Sequence, residues 1–151
     1  MKMKIFLAGF FAALFFLAPQ GQAHMAQAPE KEDLRQTGDL TGHKWVLDDI
    51  RGHGVVAAAG IVATLDIAPD GRVAGNTGCN VLMGRADVGA GTLSIGPLAV
   101  SKRACLQSAA MDQEGAYLDA LAEATGWRID AHGNLHLTGK AGADILRFVR
   151  G

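Results

Sequence analysis

From Lys44 onward, apolar residues return at every second position in short runs closed by glycine, proline, asparagine or aspartate, a pattern that confines the chain to a β-rich fold. Trp45 and Leu47 fall on one side of their run, with Lys44, Val46 and Asp48 on the other. Ile61, Ala63, Leu65 and Ile67 alternate with Val62, Thr64 and Asp66. Ala68-Pro69-Asp70-Gly71 then reverses the chain, proline presetting φ and glycine accepting a positive one. The return run is Arg72-Val73-Ala74-Gly75, and further strands are expected at 92–95, 98–100, 127–130, 134–138 and 145–149. His132-Gly133 and Gly139 to Gly142 supply the late turns. One helix is expected among the strands: Ser108 is its N-cap, Asp112 and Glu114 place negative charge near its start, and Gly126 closes it in a left-handed conformation. Its apolar stripe, Met111, Leu118, Leu121 and Ala122 with Tyr117 at the edge, is expected to pack against the sheet.

The first 23 residues read as a secretory signal. Lys2 and Lys4 precede the apolar run Ile5 to Ala18, and Gly21-Gln22-Ala23 is a small-x-small cleavage site. The apolar run is shorter than the roughly 20 residues that span a bilayer, and Pro19 ends it, so no stable membrane anchor is expected after cleavage. Residues 24–41 are rich in Ala, Gln, Pro and charge and read as a flexible linker; residues 42–151 form one domain. Removing the signal takes Lys2 and Lys4 from the 14 basic residues and leaves 12 against 15 acidic ones, a net charge of −3. Only Trp45, Tyr117, Trp127 and Phe148 remain as aromatics. Without a basic face or aromatic platforms, nucleic acid is excluded as an expected partner.

The segment Gly75-Asn76-Thr77-Gly78-Cys79-Asn80 holds one of two cysteines; the other is Cys105. Three readings of the pair are open. A structural disulfide, the one expected in an exported chain, would close a loop of about 26 residues and contribute roughly 3.5 kcal/mol by chain entropy. Two buried free thiols would act as small apolar residues. A reactive Cys105, with Lys102 and Arg103 favouring its thiolate, is the third, though no Cys-x-x-Cys motif accompanies it. The glycines and asparagines around Cys79 read as bulges and close backbone approach in a bending sheet rather than an anion nest, because no phosphate-loop or dinucleotide fingerprint follows.

The chain resembles the META domain family, that of the heat-shock protein HslJ. The residues that carry the likeness are Trp45-Val46-Leu47, Asp70 to Gly75, Gly78-Cys79-Asn80 and Gly84, then Leu93 to Leu98, Ala104-Cys105, Glu114 to Leu121, Leu135-His136-Leu137 and Leu146-Arg147-Phe148. Trp45, Gly75, Gly78, Cys79, Asn80, Gly84 and Cys105 are the motif positions, in a structural role. The resemblance implies an α+β fold: a small, strongly curved antiparallel sheet or half-barrel of about seven to eight strands with one packed helix. It implies a periplasmic or secreted protein of envelope stress response, associated with antibiotic tolerance, and no established enzymatic activity. The expected partner is an envelope protein or a cell-wall component. The chain departs from the family pattern at Val100-Ser101-Lys102 and lacks the lipid-acceptor cysteine of many relatives.

Neither cofactor nor metal is expected. His24 at a mature amino terminus, with His132 and His136, would be a copper-binding set. His132 lies in a turn, however, and His136 alternates with Leu135 and Leu137 as an outward strand residue; His43 and His53 fall in loops or at strand ends. Ser94, Ser101 and Ser108 lack a nucleophile elbow, and Asp48-Asp49 would point to opposite faces of a strand. The alternative to a non-catalytic module is a thiol- or metal-dependent activity centred on Cys105 or the histidines.

Overall fold

The computed structural model describes residues 40–55, 62–103, 105 and 108–151. The expected signal segment, His24 and linker residues 24–39, Ile61 and Ala104 lie outside the described residues. From Lys44 onward the described residues form, in order, β1 (Lys44–Ile50), β2 (His53–Gly54), β3 (Thr64–Ile67), β4 (Arg72–Asn76), β5 (Val81–Val88), β6 (Leu93–Ile95), β7 (Ala99–Val100), α1 (Ser108–Glu123), β8 (Gly126–Ile129), β9 (Leu135–Thr138) and β10 (Asp144–Arg150).

Eight strands form one antiparallel path, β6-β5-β4-β3-β1-β10-β9-β8, with the two-residue strands β2 and β7 attached to β1 and β5. The path curls until its ends meet. Leu93 N–H donates to Thr125 O at 3.1 Å, Trp127 N–H to Gly91 O at 3.1 Å, and the Trp127 indole to Gly89 O at 2.9 Å. The result is a nearly closed half-barrel in the α+β class, as the family resemblance implies.

Alternation places Trp45, Leu47, Leu65, Ile67, Val73 and Leu82 inside, where they join Leu135, Leu137, Leu146 and Phe148 in the core. Two bulges adjust that alternation. One between Leu47 and Asp49 lets Ile50 face inward; another between Asp144 and Leu146 lets Ile145 and Leu146 both be buried. The packed body starts before residue 42: Leu40 is fully buried and its carbonyl accepts from the Trp45 indole at 2.9 Å. The Arg150 guanidinium lies over the same ring, 5.5 Å from its centre.

The helix closes the half-barrel on part of the expected stripe: Tyr117 and Leu121 are buried and Leu118 packs against the core. Tyr117 is its central buried residue, set edge-on to Phe148 at 6.2 Å and donating to Thr64 O at 3.2 Å. Burial pushes the Tyr117 phenol well above its usual pKa. Ala110, Ala120 and Leu121 complete the buried face, while Met111 and Ala122 are exposed. Small residues there let the helix axis approach the sheet. Gly126 is not a helix cap: the helix ends at Glu123, and Gly126 opens β8, where a Cβ would stand 2.7 Å from Thr138 Oγ1.

Candidate functional site

The turn between β4 and β5 carries the motif cysteine and is built almost entirely from its own polar side chains. Asn76 Oδ1 accepts from Gly78 N–H at 2.7 Å, and Thr77 Oγ1 accepts from Asn80 N–H at 2.9 Å. Gly78 holds φ at 94°, a value that a side chain would strain. Gly75, just before, faces the β3 backbone so closely that a Cβ would collide with Thr64 O. Gly84 leaves room for Leu98, whose Cδ2 would be 2.6 Å from an added Cβ.

Asn80 is the hub. Its side chain is almost fully buried and uses all of its hydrogen-bonding capacity. Oδ1 accepts from Arg103 N–H at 2.7 Å and from the Ser101 hydroxyl at 2.9 Å; Nδ2 donates to Arg103 O at 3.3 Å and to the Glu114 carboxylate at 3.0 and 3.1 Å. Ser101 Oγ in turn accepts from Val81 N–H at 3.1 Å. The Thr77 hydroxyl donates to the same Glu114 carboxylate. Three remote pieces are thereby tied together: the 77–80 turn, the 101–103 segment and the helix α1. Cys79 and Cys105 add a covalent tie between the first two, as a disulfide with Cα atoms 5.8 Å apart. Of the three readings of the pair, the structure takes the disulfide.

The helical Glu114 was legible as a charge near a helix start, and its role as the acceptor for Thr77 and Asn80 was not. The signal was present in part: Glu114 belongs to the motif run Glu114 to Leu121.

A second polar cluster lies on the outer face of β8, β9 and β10. Here His136 departs from expectation. It does point away from the core, yet it is only 9 % exposed, because carboxylates cover it on both sides. Nδ1 lies 2.9 Å from Asp144 Oδ2, and Nε2 lies 3.1 Å from Asp130 Oδ2. Arg128 reaches the same Asp144 oxygen at 2.6 Å. Hydrogen bonds from Asn134 N–H, and then from His136 and His132, hold the Asp130 carboxyl well below the usual carboxylate range. Next to it, Arg147 pairs with Asp48 through Nε at 2.8 Å, while Asp49 accepts from Gly52 N–H at 2.6 Å. The neighbouring aspartates thus have separate structural tasks. A shallow cavity of about 400 Å³ is lined by Asp49, Arg51, His136, Asp144 and Arg147.

Among the described residues the histidines do not converge. His132 is exposed in the β8–β9 turn, and the two ring nitrogens of His136 face different carboxylates, so His136, Asp130 and Asp144 do not share one metal position. Ser94 lies exposed on β6, Ser101 serves Asn80, and Ser108 begins the helix.

Compared with known families, the chain matches the META domain over residues 38–151. It belongs to the META domain family. The match takes in the whole half-barrel and both polar clusters. No curated protein matches significantly. Among solved structures, an NMR structure of a protein from Burkholderia xenovorans is 29% identical, with a TM-score of 0.61 over 89% of this chain and 99% of that one. A crystal structure of a DUF4847 family protein from Bacteroides vulgatus is 14% identical, with a TM-score of 0.52 over 73% of this chain and 93% of that one. The second likeness concerns the fold alone. In this META domain the motif residues Gly78, Cys79, Asn80 and Cys105 gather at one knot, while Trp45, Gly75 and Gly84 serve core and sheet packing.

Proposed function

We propose that this META-domain protein is exported to the periplasm or beyond and acts there as a non-catalytic interaction module of the envelope stress response, with a contribution to antibiotic tolerance. The amino-terminal pattern from Lys2 to Ala23 and the Cys79–Cys105 disulfide support export, since disulfides persist in oxidising compartments. The observation that carries the interaction reading is the outer face of β4, β5 and β7. Val81 and Met83 stand 46% and 59% exposed there, beside exposed Ala74 and Ala99, while outward neighbours on the same strands are Arg72, Arg85 and Asp87. The inner face of the same sheet is filled by Trp45, Tyr117, Phe148 and the leucines, which leaves the outer face to meet a partner. An envelope protein or a cell-wall component is the partner this reading calls for.

Photo-crosslinking in intact cells from a probe at position 83, with position 132 in the exposed β8–β9 turn as control, tests it. A discrete envelope product from position 83 that Val81→Glu abolishes is expected. Equal labelling from both positions, or retention of the full-length chain in the cytoplasm, contradicts the reading. A deletion strain challenged with heat and with antibiotics tests the stress role.

A further inference from the structure

Among the described residues, Cys79, Cys105 and Glu114 are the one set of three potential metal-binding side chains whose ligand atoms all lie within 4.8 Å of one another. We infer that once the disulfide is reduced, these three residues hold a zinc ion through two thiolates and one carboxylate, with solvent at the fourth tetrahedral position.

Three features of the knot carry the inference. First, the sulfurs do not depend on their own bond to stay neighbours. Asn80 ties the 77–80 turn to Ser101 and to both backbone groups of Arg103, so the segments bearing Cys79 and Cys105 remain apposed when the S–S bond opens. A tetrahedral zinc with sulfurs at about 2.3 Å places them roughly 3.8 Å apart. The 5.8 Å between the two Cα atoms suits such a pair as well as it suits a disulfide. Second, the carboxylate is oriented in advance: Thr77 and the Asn80 amide both donate to Glu114, as outer partners do for carboxylate ligands. Third, all three residues are half-buried, dry enough to favour the ion and open enough to admit it.

The donor set selects the metal. Two thiolates exclude magnesium and calcium, which take oxygen ligands, and sulfur with a carboxylate oxygen suits zinc. The chemistry balances. A tertiary phosphine with one water converts the disulfide to two thiols and becomes the phosphine oxide; zinc then displaces both thiol protons. In the cell, a dithiol reductant supplies the same two electrons, its own thiols closing into a disulfide. Disulfide and zinc exclude one another on the same sulfurs, so a small disulfide that re-forms the protein's S–S bond, itself reduced to two thiols, releases the ion.

The test uses the full chain reduced by phosphine, freed of excess reductant and titrated with zinc(II) or, as a spectroscopic probe, cobalt(II). One zinc per reduced chain is expected, with the visible bands of tetrahedral cobalt and a thiolate-to-cobalt charge-transfer band. The oxidised chain and the Cys79→Ser/Cys105→Ser variant should bind neither at the same concentrations. Glu114→Gln should weaken binding at least about tenfold, a loss of the size caused even by removing outer partners. Circular dichroism checks its fold. Zinc uptake by the reduced chain no greater than by the double serine variant overturns the inference, as does unchanged affinity in folded Glu114→Gln. Should that variant not fold, the cobalt spectrum of the reduced wild type decides: an octahedral or thiolate-free spectrum overturns it.

Discussion

Asn80 and His136 are both polar residues hidden on a β-rich body, and each is held by several partners, but they secure different things. Asn80 joins segments far apart in sequence through an amide, backbone groups and one helix carboxylate, next to a covalent bond. His136 joins strands that are already neighbours in a meander, through charged groups that are themselves partly wet. Removing the almost fully buried Asn80 unpairs four separate groups at once, whereas removing His136 leaves two carboxylates that already touch solvent. Similar concealment therefore does not imply equal consequences.

The contrast can be broken at graded points. Replacing Cys79 and Cys105 by alanine should lower stability by roughly 3.5 kcal/mol, from the freedom returned to the unfolded chain, measured by denaturant melting against the oxidised wild type. Asn80→Ala should come next, at about 3 kcal/mol, because Arg103 N–H and the Glu114 carboxylate both lose a buried partner. A loss below 1 kcal/mol would put the knot on a par with a surface pair and erase the distinction. His136→Leu should cost about 2 kcal/mol, since Asp130 and Asp144 lose a shared partner yet retain contact with solvent. Arg147→Ala should cost less than about 1 kcal/mol, and salt should remove most of it.

The outer cluster also has a pH signature. The native carboxyl of Asp130 is depressed, so its stabilising contribution is complete above the unfolded value of about 3.9 and is lost as pH falls towards the native one. The melting-temperature gap between wild type and Asp130→Ala should therefore be widest near neutrality and shrink as the pH drops below about 4. A gap that is constant with pH would remove the carboxylate's charge from the account.

Much of the half-barrel is readable before any coordinates. The β3–β4 hairpin is marked by strict alternation and by Pro69-Asp70-Gly71; in the structure Ala68 N–H donates to Arg72 O at 2.8 Å and Gly71 N–H to Ala68 O at 2.9 Å. The late turns carry glycines at φ 83° and 73°, at Gly133 and Gly142. β5, one of the longer strands, escapes such reading. Its inward positions are Leu82, Gly84 and Ala86, and its outward ones include Val81 and Met83, so the bulk lies on the wrong side for a simple apolar pattern. Leu98 fills the space above Gly84 and explains why the inner face can be small. Trp45, Cys79 and Cys105 stand out as residue types, and Asn80 by its place in the motif. His136 and Glu114 become informative only when register brings their partners across from other elements. Asp130 and Asp144 lie 6 and 8 positions from His136 on opposite sides of two turns, a relation that depends on strand pairing rather than on local spacing.

The line where β6 meets β8 is thin: one isolated bridge at Thr92 and Gly126 and a few flanking bonds close a shell that elsewhere is laced by full ladders. Amide protons along that line should exchange with solvent ahead of those in β1 and β10, which are laced on both sides. Parting there uncovers two mutually complementary borders while leaving the sulfur-linked knot untouched. The shell thus has a built-in zipper, and its free ends are the place where unravelling, or the grafting of another strand, begins.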